Sequence, residues 1–171
     1  GRPAHDGRLR DDVVSAMREA VGARLGLFGK GGGEGVEEVS RAKAHEVYWR
    51  AKIVLSISLD NKLECYTSDR LFRILGCGAI LLVKRFPGMD ILGLKSGENC
   101  LVFDTTEKAV EMAKRWSGVD EDGYAARIAA AGAKLARDNH TWSVRVLELQ
   151  KYIDAVREAS GHSHERKGEM S

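Results

Sequence analysis

The sequence predicts an α/β fold in which a parallel sheet is covered by helices on both faces. Three observations lead there. Helix-like and strand-like stretches alternate from residue 9 to residue 83, the order that builds parallel crossovers. The clearest strand candidates, KIVLSIS at 52–58 and AILLV at 79–83, are rich in β-branched and apolar residues, as strands covered on both sides are. Between them, YTSDRLFRILGCGAILL (66–82) reads as a capped helix that stops on glycine and runs straight into a buried strand.

The elements follow in order. Residues 1–8, GRPAHDGR, form a polar opening without strand character. Leu9, Val13, Val14, Met17 and Val21 then recur at helical spacing, with Asp11 and Asp12 in the first turn, where acids suit the helix dipole. Gly22 ends this helix, and RLGLF (24–28) reads as a short strand leading into a glycine run at 29–35. A helix is expected between Ser40 and Arg50, then the 52–58 strand and a loop through Asp60 and Asn61.

In the 66–82 stretch Thr67 and Ser68 are N-cap candidates, and Asp69 suits the dipole. Leu71, Phe72, Ile74 and Leu75 share one helical face, Gly76 permits close packing, and Gly78 can take the left-handed conformation that ends the helix. After the 79–83 strand, Phe86-Pro87-Gly88-Met89-Asp90 is a turn, and NCLVF (99–103) is a further strand. Asp104 followed by Glu107 offers a capping box for a helix to about Trp116. A break at 118–123 precedes a helix over 124–137, and Thr141 can cap the last helix, with Trp142 as an apolar anchor. Residues 1–158 are expected to form one domain, and 159–171, polar and aperiodic, a disordered tail.

Composition bounds the function. At 171 residues with 43% hydrophobic content the chain can bury a substantial core. Its formal charge of +2 gives no electrostatic case for nucleic-acid binding. Cys65, Cys77 and Cys100 lie in or beside apolar segments without C-x-x-C spacing, so reduced thiols and a cytoplasmic setting are expected rather than disulfides or zinc. No apolar run reaches the ~20 residues of a membrane span. The sequence does not open on Met, and a cut end is expected there.

Two stretches point to anion chemistry. A helix that begins at the carboxyl end of a strand presents backbone N–H groups, and Arg70 lies in its first turn. Gly29-Lys30-Gly31 also follows a strand, but no Ser or Thr follows the lysine and no complete G-x-G-x-x-G is present. A plain loop and a ligand loop both remain open for it. No bound metal is expected, and His162-x-His164 falls in the tail.

YTSDRLFRILGCGAILL, the FPGMDIL loop, SGENCLVFDTTEKAVEMAKRW and RIAAAGAKLARDNHTWSVRVLELQKYI, taken together over 66–153, resemble the C-terminal half of group 1 glycosyltransferases, nearest to the spore-maturation-protein-like branch. The resemblance implies a Rossmann-like domain of the GT-B architecture whose first strand, ending at Gly1-Arg2, is missing from this chain. It implies a nucleotide-sugar donor as substrate, no further cofactor, and a separate N-terminal domain that holds the acceptor. Thr67, Ser68, Arg70, Arg2 and Arg8 would hold the donor diphosphate, Gly29 and Lys30 would meet the nucleobase, and Pro87, Gly88, Met89 and Asp90 the sugar. Glu64 lies roughly where one of the family's two glutamates is expected. The other aligns with Arg73, and a cation cannot accept hydrogen bonds from ribose hydroxyls. The expectation is therefore a donor-binding domain of a glycosyltransferase of hexosyltransferase type, inactive in isolation, with the catalytic group unassigned. The alternative is a non-catalytic interaction or structural module that keeps the fold, and a dehydrogenase is a distant third.

Overall fold

The computed structural model describes residues 7–28, 36–40, 42–118, 120 and 122–168. The chain divides into two compact units, Gly1–Ala136 and Arg137–Ser171. In the first, α1 (Gly7–Val21) and a 3-10 turn (Gly22–Arg24) lead to β1 (Leu27–Phe28) and β2 (Val36–Glu37). Next come α2 (Ala44–Arg50), β3 (Ile53–Ser56), α3 (Asp69–Gly76), β4 (Ile80–Lys84), β5 (Leu101–Phe103), α4 (Thr106–Trp116) and α5 (Tyr124–Asn139).

Every strand pairing is parallel. β3, β4 and β5 lie side by side in that order, with Ile53 opposite Ile80 and Leu82 opposite Leu101. β1 pairs with β2 in a separate two-stranded sheet. The expected 24–28 strand shrinks to its last residues, and its partner Val36-Glu37 is too short to carry a periodicity in the sequence.

The alternation of a pleated strand sorts the core into two layers. Leu81, Val83 and Val102 pack with Leu71, Ile74 and Leu75 of α3, and Tyr48 of α2 joins that side. Ile80, Leu82, Leu101 and Phe103 pack with Val13 and Met17 of α1 and with Ala109 and Ala113 of α4. Helices thus cover both faces of the sheet, as the unbroken apolar run at 79–83 predicts. α5 serves both layers, through Ile128 on the α1 side and Ala136 on the α3 side.

Several helix starts depart from expectation: α1 runs from Gly7, so Asp11 and Asp12 lie beyond its first turn, and α2 starts only at Ala44. Ser68 has the extended backbone of an N-cap, but its side chain makes no capping bond to α3. Thr105, not Asp104, caps α4, accepting from the Lys108 N–H. Asp104 is instead held by Arg85, whose Nε lies 2.8 Å from the carboxylate. At the other end of α3, Gly78 takes φ +78° and its N–H donates to Leu75 O, as the glycine stop requires.

In the second unit α6 (Trp142–Gly168) is capped by Thr141, whose hydroxyl accepts from Val144 N at 3.3 Å. The helix carries on through 159–168, over most of the stretch expected to be a disordered tail, and 169–171 lie outside the described residues. Glu165, Arg166 and Lys167 are good helix formers, so lack of apolar periodicity does not end the helix. Trp142 is 81% exposed, so it is not the buried anchor the sequence suggests.

Two outcomes test this packing. A Cβ on Gly132 would stand 2.6 Å from Asn99 O and 2.7 Å from a Leu75 methyl, whereas at Gly76 it would meet open space. Gly132→Ala is expected to lower the unfolding free energy by about 1–3 kcal/mol, and Gly76→Ala to leave it equal or raise it, in urea denaturation. Burial pushes the Cys100 thiol from its ordinary 9.0 up to about 12. The native state then keeps a proton that the unfolded chain releases. The stability this thiol contributes is full below pH 9 and is lost as pH rises toward 12, at up to ~1.4 kcal/mol per pH unit. Cys100→Ala is expected to flatten that slope.

Candidate functional site

Because β3, β4 and β5 are parallel, their carboxyl ends open on one side of the sheet, where α/β folds place their ligands. Arg70, in the first turn of α3, reaches back to the end of β3. Its Nη2 donates to Ile57 O at 3.1 Å and to the buried Ser56 hydroxyl at 3.4 Å. Its Nε is buried and has no hydrogen-bond partner among the described residues. Burial lowers the Arg70 pKa, and the charge of Arg10 on α1 lowers it further, against the opposing pull of Tyr48 and Asp69. A half-buried guanidinium with a second cation nearby and a donor to spare is an arrangement that an anion would relieve.

The two loops that leave β3 and β4 are fastened together beside it. Cys65 sits at φ +52°, its N–H donates to Pro87 O at 2.9 Å, and its thiol approaches Gly88 O at 3.6 Å. Gly88, at φ +81°, has no room for a side chain, since a Cβ would stand 2.5 Å from Cys65 Sγ and 3.1 Å from Glu64 Cγ. The loop after β4 borders a cleft of about 550 Å³ lined by Pro87, Gly88, Met89 and Asp90 together with Asn61 and Arg85. Asn61 also braces the end of the β3 loop, accepting from Ser58 N and donating to Ser58 O.

Of the residues singled out in the sequence, the structure therefore brings Glu64, Pro87 and Gly88 into contact and puts Met89 and Asp90 on the same cleft. Arg70 stands at the neighbouring strand end, with Thr67 half-buried and Ser68 exposed at the start of its helix. Arg8 is exposed on α1, and it is Arg10, two residues further, whose charge bears on Arg70. Arg2, Gly29 and Lys30 lie outside the described residues. Sequence reasoning missed Arg10, Asn61 and Arg85. None belongs to a motif, and only tertiary placement marks them. Arg73, aligned with the family glutamate, lies 3.8 Å from Asp69 one helical turn back.

A second cavity of about 610 Å³ lies beside α4. Its polar groups serve packing: Trp116 stacks on Tyr124, Arg115 and Arg127 cover those rings, and the Tyr124 hydroxyl donates to Gly97 O. Asp120 accepts from the N–H groups of Ala125 and Ala126 at the start of α5. Among the described residues no cluster of His, Cys, Asp and Glu could hold a metal ion, and no helix is long and apolar enough to cross a membrane.

Residues 10–151 match the protein family described as glycosyl transferase-like. The chain belongs to that family. The glycosyl transferase-like domain also superposes on sucrose-phosphate synthase from Thermosynechococcus elongatus with a TM-score of 0.66 at 12% identity. The match covers 91% of this chain and 44% of that one, and identity this low speaks for the fold alone. No curated protein matches the sequence. Family and fold agree on a GT-B-type α/β domain, a parallel sheet flanked by helices.

The fastening of the two loops has a measurable consequence. Gly88→Ala in this glycosyl transferase-like domain is expected to cost roughly 1–3 kcal/mol, from a left-handed backbone and a direct clash. Combining it with Cys65→Ala removes the shortest of these contacts and should recover part of the loss in a thermal denaturation assay. A cost unchanged by Cys65→Ala would mean the thiol is not what excludes the side chain.

Proposed function

We propose that this domain holds the nucleotide-sugar donor of a glycosyltransferase, with the donor diphosphate at the end of β3 and the sugar in the cleft bordered by Pro87–Asp90. The observation that supports this most directly is Arg70, half-buried, bonded through Nη2 to Ile57 and Ser56, and left with an unpartnered buried Nε among the described residues. A diphosphate leaving group gains negative charge as the glycosidic bond breaks, so a fixed guanidinium there lowers the barrier by stabilising the charge where it develops. Arg10 adds a second positive charge, and the start of α3 adds oriented backbone dipoles. Thr67, Ser68, Arg8 and Arg2 complete the proposed diphosphate set, Gly29 and Lys30 the nucleobase contacts, and Glu64 stands against the sugar loop.

In this reading the domain extends to residue 158, acts in the cytoplasm, belongs to the spore-maturation-protein-like branch, and works with an N-terminal domain that presents the acceptor. The domain alone is expected to transfer no sugar. A second reading, a non-catalytic interaction or structural module, is favoured by one observation. Arg73 occupies the position where the family resemblance expects a ribose-binding glutamate, and it lies beside Asp69 instead.

Titration with UDP, GDP, ADP, CDP and dTDP, followed by amide chemical shifts, separates the two. The donor reading expects saturable binding of one nucleotide, with shifts at Ile57 and in α3. Arg70→Ala should weaken it by roughly 10-fold or more, the usual effect of losing a hydrogen bond to a charged group. Binding indifferent to Arg70→Ala would move the site elsewhere. A folded chain that binds none of the five would favour the non-catalytic module.

A further inference from the structure

We propose that the cleft bordered by Pro87–Asp90 selects a donor whose sugar carries a carboxylate, a glycuronic acid, held by Lys84 and Arg85 at the carboxyl end of β4. The inference rests on reading that cleft as the sugar site, and it adds the class of sugar.

Two cations line the cleft and share one acidic residue. Lys84, the last residue of β4, is half-buried, and its Nζ donates to the backbone carbonyl of Asp104 at 3.1 Å. A carbonyl is neutral, so that bond brings the ammonium no countercharge. Arg85 also lines the cleft, and of its side-chain donors Nε alone reaches the Asp104 carboxylate, at 2.8 Å. The two Nη groups of Arg85 and the remaining donors of Lys84 have no partner among the described residues. One carboxylate thus answers two positive charges.

Both cations stand on fixed backbone. Lys84 lies opposite Phe103 in the β4–β5 ladder, and the Arg85 N–H donates to Phe103 O at 3.0 Å. Phe86, 3% exposed, pins the chain directly after them. Groups placed before a ligand arrives lose less freedom on binding it. Stability alone does not account for the arrangement. The Arg85 and Asp104 side chains are 59% and 55% exposed, and an ion pair so open to water adds little to it.

The donor chemistry suits a carboxylate. The paired N–H groups of a guanidinium match two carboxylate oxygens, and the lysine adds a further donor together with the missing countercharge. With the donor diphosphate at the end of β3 beside Arg70, the end of β4 is left for a second, separate anionic group. An acid on the sugar is such a group. Asp90, exposed on the same cleft, offers an acceptor for ring hydroxyls. A neutral hexose would use Asp90 and leave Lys84 without a countercharge.

The test uses simple methyl glycosides, so it does not depend on which nucleotide the donor carries. The full chain is titrated with methyl glucuronide and with methyl glucoside, and amide and arginine side-chain chemical shifts are followed. Saturable shifts are expected at Lys84, Arg85 and Asp104, with the glucuronide bound about tenfold more tightly. Lys84→Gln and Arg85→Gln should each cut that preference about threefold or more, and the double variant should remove it while its spectrum remains that of a folded chain. Equal affinity for the two glycosides overturns the proposal, as does a preference that survives the double variant. Glucose 6-phosphate bound more tightly than the glucuronide, through the same two residues, assigns the cleft to a phosphate and overturns it too. The nucleotide titration reads Arg70 and this one reads Lys84 and Arg85, so the two readings fail separately. Nucleotide binding without a glucuronide preference removes the sugar class alone, and a glucuronide preference without nucleotide binding removes the donor and leaves an acidic-sugar site.

Discussion

The rest of this domain depends on the burial of β4. Ile80, Leu81, Leu82 and Val83 are each 3% exposed or less, so nearly every polar group of that backbone has lost water. Unpaired, each would cost on the order of 1–3 kcal/mol, and only flanking strands can satisfy them all. β3 and β5 do so, both in parallel register. Parallel strands in turn demand crossovers: α3 carries β3 to β4 on one face, and α4, which follows β5, covers the other. That one constraint therefore also decides where the loops gather. The carboxyl ends of β3, β4 and β5 all face one rim.

At that rim Arg70 shows how a fold can hold a charge half out of water. Desolvation works against the guanidinium, and a neighbouring arginine adds to the difficulty. Two hydrogen bonds at 3.1 and 3.4 Å offset part of this, the second of them long. The buried Nε is left over. An anion placed there would offset that imbalance.

Much of this was legible in the sequence, for physical reasons that differ from element to element. The 79–83 strand announces itself because burial on both faces removes the need for any polar residue. The stop of α3 at Gly78 is legible because φ +78° suits glycine and little else. The cap of α4 was misread by one residue, since Asp104 and Thr105 are both capable and only the tertiary pull of Arg85 on Asp104 decides between them. The pairing of β1 with β2 was hidden because neither strand is long enough to show a period. At the candidate site the lone Arg70 could be picked out from its place at a helix start. Arg10, Asn61 and Arg85 could not, because nothing local shows that the fold sets Arg10 near Arg70 and puts Asn61 and Arg85 on the cleft.

α5 carries a consequence of a different kind. It crosses the margin of the sheet so closely that Gly132 lies against Asn99, with Ile128 seated in one layer and Ala136 in the other. The two hydrophobic layers share no side chains across the sheet except through such a bridge. A helix anchored in both acts as a rivet, so that loosening either layer strains the other. The first unit is thereby made to melt as a single cooperative body rather than to delaminate face by face.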